Sequence, residues 1–263
     1  MISSDLINGL LEPWIFLGLS LSYLPGTITR LIREGDWSYF TNFDKFSFAW
    51  FGNFWTWAGP MVRQGAEARV GPLLQGRVRS GAIVPAADAV STGVGGTVIE
   101  IGPGSGMWAS IFADKYVGTE EGMKGQQKNG ERTRVNKVYG IEPSPAHHAA
   151  LAKRAKDAGL EDRYEIVPVG IESITPELIK KESVDAIVTV LCLCSIPEPE
   201  KNIRELYTYL KPGGKWFVYE HVITHKPQGP FMRIYQRKCR GHPIFLNLIF
   251  TLHTRTSPCS ATC

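Results

Sequence analysis

A glycine-rich turn constrains this chain more than any other feature of its sequence. Residues 97–101 read Thr-Val-Ile-Glu-Ile, a run typical of a buried parallel strand. Gly102, Gly104 and Gly106 follow, and residues 107–115 then have the pattern of a helix. Glycines at the carboxyl end of a strand let the backbone approach a ligand closely, and open α/β sheets bind ligands at that edge. The stretch therefore predicts a binding turn, although an ordinary strand–helix turn has the same glycine pattern.

The remaining sequence from about residue 76 alternates strand and helix patterns. The predicted strands are residues 97–101, 138–142, 164–169, 184–193 and 216–220. The predicted helices between them include residues 147–158, introduced by Ser144 and Pro145, and residues 199–210, stopped by Pro212-Gly213-Gly214. Residues 118–137 are polar and glycine-spaced, and indicate a surface insertion. This alternation predicts an α/β fold with a doubly wound, mostly parallel, Rossmann-like sheet.

The N-terminal 75 residues predict a separate helical extension that is apolar and aromatic. Residues 13–29 carry no charge, but 17 residues are fewer than the ~20 that span a bilayer. Asp5 and Glu12 precede them in place of the basic segment of a signal peptide. Two interpretations stay open: peripheral membrane contact through residues 10–33, or a helix packed over the catalytic domain. Residues 36–54 predict short aromatic helices before a helix at 59–74, a suitable wall for an apolar substrate.

Composition excludes several classes of partner. The formal net charge is only +4 and there is no arginine-rich arm, so we expect no nucleic-acid substrate. The five cysteines lack metal-ligand spacing, and Cys192-Leu-Cys194 is too close for a tetrahedral pair without further ligands. We therefore expect no metal site and reduced thiols in an intracellular, cytoplasmic protein. Peripheral attachment to a membrane, such as the endoplasmic reticulum or a lipid droplet, stays open.

Two sets of residues resemble a known family. Glu100 lies two residues before the first glycine, and Glu-x-Gly-x-Gly-x-Gly resembles motif I of the class I S-adenosylmethionine-dependent methyltransferases. Residues 184–196, the Leu-Lys-Pro-Gly-Gly ending of residues 203–214, and Phe-Val-Tyr-Glu-His-Val at 217–222 resemble the methyltransferase-like 7 family, of the type 11 methyltransferase-domain group, in its fungal branch. The resemblance covers about residues 97–237. It implies methyl transfer from S-adenosylmethionine to a small thiol or hydroxyl compound.

The resemblance also implies a role for each residue at the strand ends. Glu142 ends the second strand and would accept the ribose hydroxyls, although it could also pair with the dipole of the following helix. Ile171 and Glu172 would lie beside the adenine, and Leu191 and Cys192 beside the methionine part and the sulfonium. The cofactor-binding residues predicted in this way are Glu100, Gly102, Gly104, Gly106, Glu142, Ile171, Glu172, Leu191 and Cys192.

Direct in-line displacement needs little help from side chains, because the sulfonium methyl group is already activated. If the acceptor needs a base, His221 is the predicted catalytic residue, with Glu220 orienting it. Two other functions stay open. Ser195, Tyr207 and Lys211 have the spacing of a short-chain NAD(P)-dependent oxidoreductase, and a chain without its closing strands could be a catalytically silent binding or scaffold protein.

The C-terminal residues depart from the family pattern. Class I methyltransferase sheets close with an antiparallel pair, yet 41 residues follow Val222 and residues 238–263 lack the alternation of a hairpin. We therefore expect domains at 1–75 and 76–237, an incomplete C-terminal hairpin and an atypical tail at 238–263. Because residues 237–239 can be encoded as CGT-AAG-TGT, which contains the start of an intron, we interpret the tail as unspliced read-through.

Overall fold

The computed structural model describes residues 4–113, 134–193 and 196–220, and their contacts group into two units, residues 4–59 and 60–220. His221, the expected incomplete hairpin and the tail lie outside the described residues. So does the predicted surface insertion, except for its last residues, which begin a strand.

The first unit contains three helices and most of a fourth. They are α1 (Ser4–Leu21), α2 (Leu24–Glu34), α3 (Ser38–Thr41) and α4 (Phe43–Leu74). Within this unit the ring of Phe16 meets that of Phe54 edge-on, with centroids 4.8 Å apart, and Trp50 Nε1 donates to the carbonyl oxygen of Ser20 at 2.7 Å. The helix predicted at 59–74 is continuous with the part of the predicted 36–54 helical stretch that begins at Phe43. The division between the units falls inside this helix, before Pro60.

The second unit is built around a five-stranded parallel sheet. Its strands are β3 (Gly96–Ile101), β4 (Val135–Ile141), β5 (Tyr164–Val167), β6 (Val184–Val190) and β7 (Leu210–Tyr219), in the order β5-β4-β3-β6-β7. Helix α5 (Pro145–Asp157) lies between β4 and β5 in the chain, and α6 (Pro199–Tyr207) between β6 and β7. The predicted doubly wound sheet is confirmed. The chain winds outward from β3 in both directions, so the ligand-binding switch point of such sheets lies between β3 and β6.

A small hairpin precedes the sheet. Strands β1 (Val78–Arg79) and β2 (Ala82–Ile83) pair antiparallel, and a two-residue turn, Ser80 and Gly81, connects them. Both turn residues have positive φ angles, 47° and 87°, as a two-residue hairpin turn of type I′ requires.

Two predicted local features differ in the structure. The helix expected at residues 107–115 is, within the described residues, a short 3-10 helix (Ala109–Phe112). The Pro-Gly-Gly stop after α6 lies inside β7, because β7 begins at Leu210 and bulges. Leu210 pairs with Val184 and Lys215 with Ala186, so four residues of β7 lie opposite Asp185.

Candidate functional site

Four groups singled out in the sequence line one edge of the sheet. The glycine turn follows β3 and Glu142 follows β4. On the other side of β3, Cys192 comes after β6 with Leu191 between them, and Glu220 is the first residue after β7. Because the strands are parallel and adjacent in the order β4-β3-β6-β7, these groups form a row at the carboxyl edge. This is the edge at which open α/β sheets bind ligands.

Glu142 connects the end of β4 to the glycine turn. Its Oε2 accepts a hydrogen bond from the backbone N–H of Gly104 at 2.8 Å, and its Oε1 accepts one from the N–H of Ser144 at 2.9 Å. The side chain is buried. His147 Nδ1 lies 3.3 Å from Oε1 but is not aligned for a hydrogen bond, while His148 Nε2 donates to the Glu142 carbonyl oxygen at 2.8 Å. The predicted site carboxylate therefore holds the turn as well as the start of α5.

The glycine turn passes too close to neighbouring atoms for larger residues. A Cβ on Gly102 would lie 2.8 Å from Cys192 Cβ, and one on Gly106 would lie 2.8 Å from Leu151 Cδ1. Gly104 also has a positive φ, 56°, but a Cβ there would meet nothing within 4 Å. The turn is therefore closely packed at its two ends and open above its centre.

Two arginines hold the far side of the turn. Arg154 of α5 donates from Nη1 to the carbonyl oxygen of Ser105 at 2.8 Å and to its Oγ at 2.6 Å. Arg63 of α4 donates to the carbonyl oxygen of Met107 and, at 2.8 Å, to Ser110 Oγ. Sequence reasoning missed these contacts, since they join residues more than 40 positions apart. Together with Glu142 they fix the backbone of the turn before any ligand binds.

Glu100 lies inside β3, where its carboxyl group is buried. Tyr164 of β5 donates its hydroxyl to Glu100 Oε2 at 2.5 Å. The tyrosine crosses the intervening strand at Gly140, where a Cβ would lie 2.6 Å from the Tyr164 ring. The pKa of Glu100 is raised to about 7, chiefly by burial and also by the negative charge of Glu142, while the Tyr164 hydrogen bond acts against both.

The end of β6 is held by Glu220. Leu191 has a positive φ of 55°, unusual for a residue with a side chain, and turns the following backbone toward β7. Glu220 Oε1 accepts hydrogen bonds from the N–H groups of Cys192, at 3.1 Å, and Leu193, at 3.2 Å. The Cys192 thiol lies 3.5 Å from the same oxygen. Glu220, expected to orient His221, thus binds the backbone of the predicted cofactor residue Cys192 and of Leu193 after it.

Ile171 and Glu172 form a 3-10 helix (Ile171–Ser173) after β5. Ile171 is buried in the core of the sheet, whereas Glu172 is exposed and its carboxylate lies over Gly170, where a Cβ would be 2.2 Å from Oε1. Their contact with an adenine stays a prediction. Within the described residues no group of three or more His, Cys, Asp or Glu side chains could hold a metal ion.

A cavity of about 440 Å³ opens at the opposite, amino-terminal edge of the sheet, between the starts of β3, β4, β6 and β7. Lys211 Nζ pairs there with Asp185 Oδ1 at 2.8 Å. Tyr207 is in α6 but Lys211 is in β7, so the pair is not on one helix as a short-chain oxidoreductase requires. Ser195, the third residue of that pattern, lies outside the described residues. The cavity is therefore separate from the row of predicted site residues.

Comparisons with known proteins agree with this fold. A family model described as a methyltransferase domain matches residues 80–247. The chain is 35% identical over 102 residues to the thiol S-methyltransferase TMT1B of Rattus norvegicus, covering 38% of this chain and 40% of the rat protein. It is 33% identical over 89 residues to the human thiol S-methyltransferase TMT1A, covering 34% and 35%. These matches span about 40% or less of the relatives' own lengths.

Among solved structures, a SAM-dependent methyltransferase from Thiobacillus denitrificans in complex with S-adenosyl-L-homocysteine is similar. It is 19% identical in sequence, with a TM-score of 0.33, and the match covers 56% of this chain and 44% of that protein.

Proposed function

The chain belongs to the methyltransferase domain family, and from this membership we propose that it transfers a methyl group from S-adenosylmethionine to a small-molecule thiol. The observation that supports this most directly is the 2.8 Å hydrogen bond from the N–H of Gly104 to the Glu142 carboxylate. It lies at the carboxyl edge of the central strands. A hydroxyl compound is the second acceptor class, and the thiol is preferred because the matching relatives are thiol S-methyltransferases. S-adenosylmethionine supplies an activated methyl group on a positively charged sulfur.

The residues at the edge suit the adenosine part of this donor. Each oxygen of the Glu142 carboxylate accepts one backbone N–H, and a carboxylate oxygen can accept a second hydrogen bond. Two ribose hydroxyls are donors of the required kind. The space above Gly104 is open, so a ligand can approach the backbone closely there. Glu142 would thus bind the ribose while still holding the turn.

The positions of the other predicted cofactor residues along the carboxyl edge suggest which part of the donor each would contact. With the ribose at β4, the rest of the donor extends across the turn toward Leu191 and Cys192 after β6. Ile171 and Glu172 after β5 would lie on the adenine side. The chain contributes orientation and exclusion of water, and His221 stays a predicted base.

Calorimetric titration with S-adenosylhomocysteine tests this proposal. Glu142→Ala should weaken binding by about 1.5–3 kcal/mol, or roughly 10- to 150-fold, because charge-assisted hydrogen bonds are lost. Glu165→Ala is the matched control: this glutamate lies within β5 and pairs with Lys137 at 2.6 Å. Equal affinity in both variants would refute the ribose role. Mass-spectrometric detection of methylated product, with alkyl thiols, aryl thiols and phenols compared, tests the acceptor class.

We further propose that α1 and α2 contact a membrane surface without crossing it. Large apolar side chains are exposed on both helices, including Trp14, Ile15 and Ile32 at 50%, 60% and 50%. The stretch Trp14–Glu34 has the length and composition of a membrane span, yet the helix breaks between Leu21 and Leu24. Arg30 and Arg33 on α2 suit anionic headgroups.

Vesicle flotation tests the membrane contact. The protein should float with vesicles that contain anionic lipid and be released by alkaline carbonate, as peripheral proteins are. Replacing Trp14 and Ile15 by glutamate should abolish flotation. Retention in the membrane after carbonate treatment would contradict the peripheral mode.

We also propose the domain limits 1–75, 76–237 and 238–263. The start of the family match at residue 80 supports the first limit. Its end at residue 247 extends ten residues past the second limit, into the segment assigned to the tail, so sequencing the transcript across residues 237–239 is the decisive measurement.

A further inference from the structure

We propose that Glu220, rather than the predicted base His221, removes the proton from the thiol acceptor, a role that rests on the proposed function. The oxygen that would accept the proton is Oε2 of this carboxyl group. Its partner oxygen, Oε1, already accepts the N–H groups of Cys192 and Leu193. Among the described residues, Oε2 is buried and has no hydrogen-bond partner.

An unpartnered buried carboxylate oxygen is costly, so its persistence calls for a physical reason. Holding the backbone after β6 needs only Oε1, which accepts both hydrogen bonds. A proton donor that enters with the substrate would satisfy Oε2. The hydrogen of a thiol is such a donor.

Glu220 belongs to the same site as the glycine turn. Gly102 packs against Cys192, where a Cβ on the glycine would lie 2.8 Å from the cysteine Cβ, and Cys192 donates its backbone N–H to Glu220. Continuous contact therefore runs from the turn to Glu220. On the other side of the turn lies Glu142, three strand positions away in the order β4-β3-β6-β7. At a spacing of ~4.8 Å per strand, the two carboxylates mark the ends of a row about 14 Å long.

This row separates the two substrates. A ribose bound at Glu142 would occupy the β4 end, and the rest of the donor would extend from it toward β6 and β7. The acceptor must approach the methyl carbon from the side opposite the sulfonium. Glu220, at the β7 end, lies on the side that the acceptor sulfur would enter.

The charge state of Glu220 also suits proton removal near neutral pH. Burial raises its pKa to about 7, and the hydrogen bonds from the Cys192 and Leu193 backbone and the Cys192 thiol oppose this rise. Among the described residues, the titratable group in contact with Glu220 is the Cys192 thiol, 3.5 Å from Oε1. A base with a pKa near the working pH is the most effective kind.

The S–H proton of the acceptor moves to Glu220 Oε2, and the sulfur electron pair forms the new bond to the methyl carbon. The bond between that carbon and the donor sulfur breaks, and its electrons neutralise the positive sulfur. The proton on Glu220 then leaves to solvent.

Glu220→Gln separates the base from the positioning role. The glutamine carbonyl can accept the same two backbone N–H groups, but the amide in place of Oε2 cannot take a proton. An alkyl thiol with a pKa of about 8.5 is only ~3% ionised at pH 7, so losing the base should slow it by up to roughly thirty-fold. An acidic aryl thiol that is already ionised should lose less than about two-fold. The alkyl-thiol defect should vanish above about pH 9.5, where the substrate ionises unaided.

The controls distinguish this inference from the proposed function. Binding of S-adenosylhomocysteine is measured first in both proteins. Failure of the unaltered protein to bind it, or to methylate any thiol, would overturn the proposed function and this inference with it. If methylation occurs but Glu220→Gln slows both thiols equally at every pH, or neither, only the role of Glu220 is wrong.

A second measurement applies if Glu220→Gln does not fold. For an alkyl thiol, kcat/KM of the unaltered protein should rise through a break near pH 7 rather than only near the thiol's own pKa. That break should move little with temperature, as carboxyl ionisation does, whereas an imidazole break would shift clearly. A single break at the thiol pKa, or a strongly temperature-dependent one, would overturn the proposal.

Discussion

Replacing Glu100 by glutamine should remove a large pH dependence of stability. The carboxyl group is buried inside β3 and accepts a hydrogen bond from the Tyr164 hydroxyl, at 2.5 Å. Its pKa in the folded protein is about 7, against 4.5 in the unfolded chain. The folded state therefore binds this proton more tightly, so the contribution to stability is complete below about pH 4.5 and is lost as the pH rises through about 7.

The size of this loss follows from the two pKa values. Each pKa unit corresponds to about 1.4 kcal/mol, so the free energy of unfolding should fall by about 3 kcal/mol between pH 4.5 and 8 because of Glu100 alone. Glutamine is neutral throughout and its carbonyl oxygen can still accept the Tyr164 hydrogen bond. The stability of Glu100→Gln relative to the unaltered protein should therefore increase by about 3 kcal/mol over this range.

Urea unfolding followed by circular dichroism at pH 4.5, 6, 7 and 8 measures this difference. Tyr164→Phe is the companion variant: its hydroxyl lowers the Glu100 pKa, so its removal should move the loss of stability to higher pH. Parallel stability curves for Glu100→Gln and the unaltered protein would show that Glu100 has the same pKa folded and unfolded, and would refute the reasoning.

Two further predictions concern the glycine turn. Gly102→Ala should destabilise the protein more than Gly104→Ala, since both have positive φ but only the first places its Cβ 2.8 Å from Cys192; thermal unfolding of the two variants checks the order. Arg154→Ala should weaken S-adenosylhomocysteine binding by about 1–3 kcal/mol, because the two hydrogen bonds to Ser105 no longer hold the turn; unchanged affinity would show that the turn is rigid without them.

Those parts of the fold that depend on local pattern could be predicted. Apolar β-branched runs bounded by glycines are strands, and the strand–helix alternation is enough to predict a doubly wound sheet. The position of Glu142 followed from the same rule, because carboxyl ends of parallel strands meet at one edge. Glu220 also ends a strand, and that rule, applied to every strand, would have placed it in the site.

Contacts that depend on the packing of distant segments could not be predicted. Nothing near Glu100 in the chain indicates that Tyr164, 64 residues later, reaches it. The pairing exists because β5 lies two strands away and the strand between has a glycine at the crossing point. The arginines that hold the turn are a similar case, since each acts from a helix surface that only tertiary packing brings near.

Because Tyr164 crosses over Gly140, the residues that evolution can accept at these two positions depend on each other. Any residue larger than glycine at position 140 would collide with the tyrosine ring, and without the tyrosine the Glu100 carboxyl would lose its hydrogen bond. Substitutions at the three positions should therefore be strongly epistatic: the effect of a change at one position depends on which residues occupy the other two. Among homologues, we expect positions 100, 140 and 164 to vary together rather than singly. An alignment of related sequences would therefore test this packing arrangement.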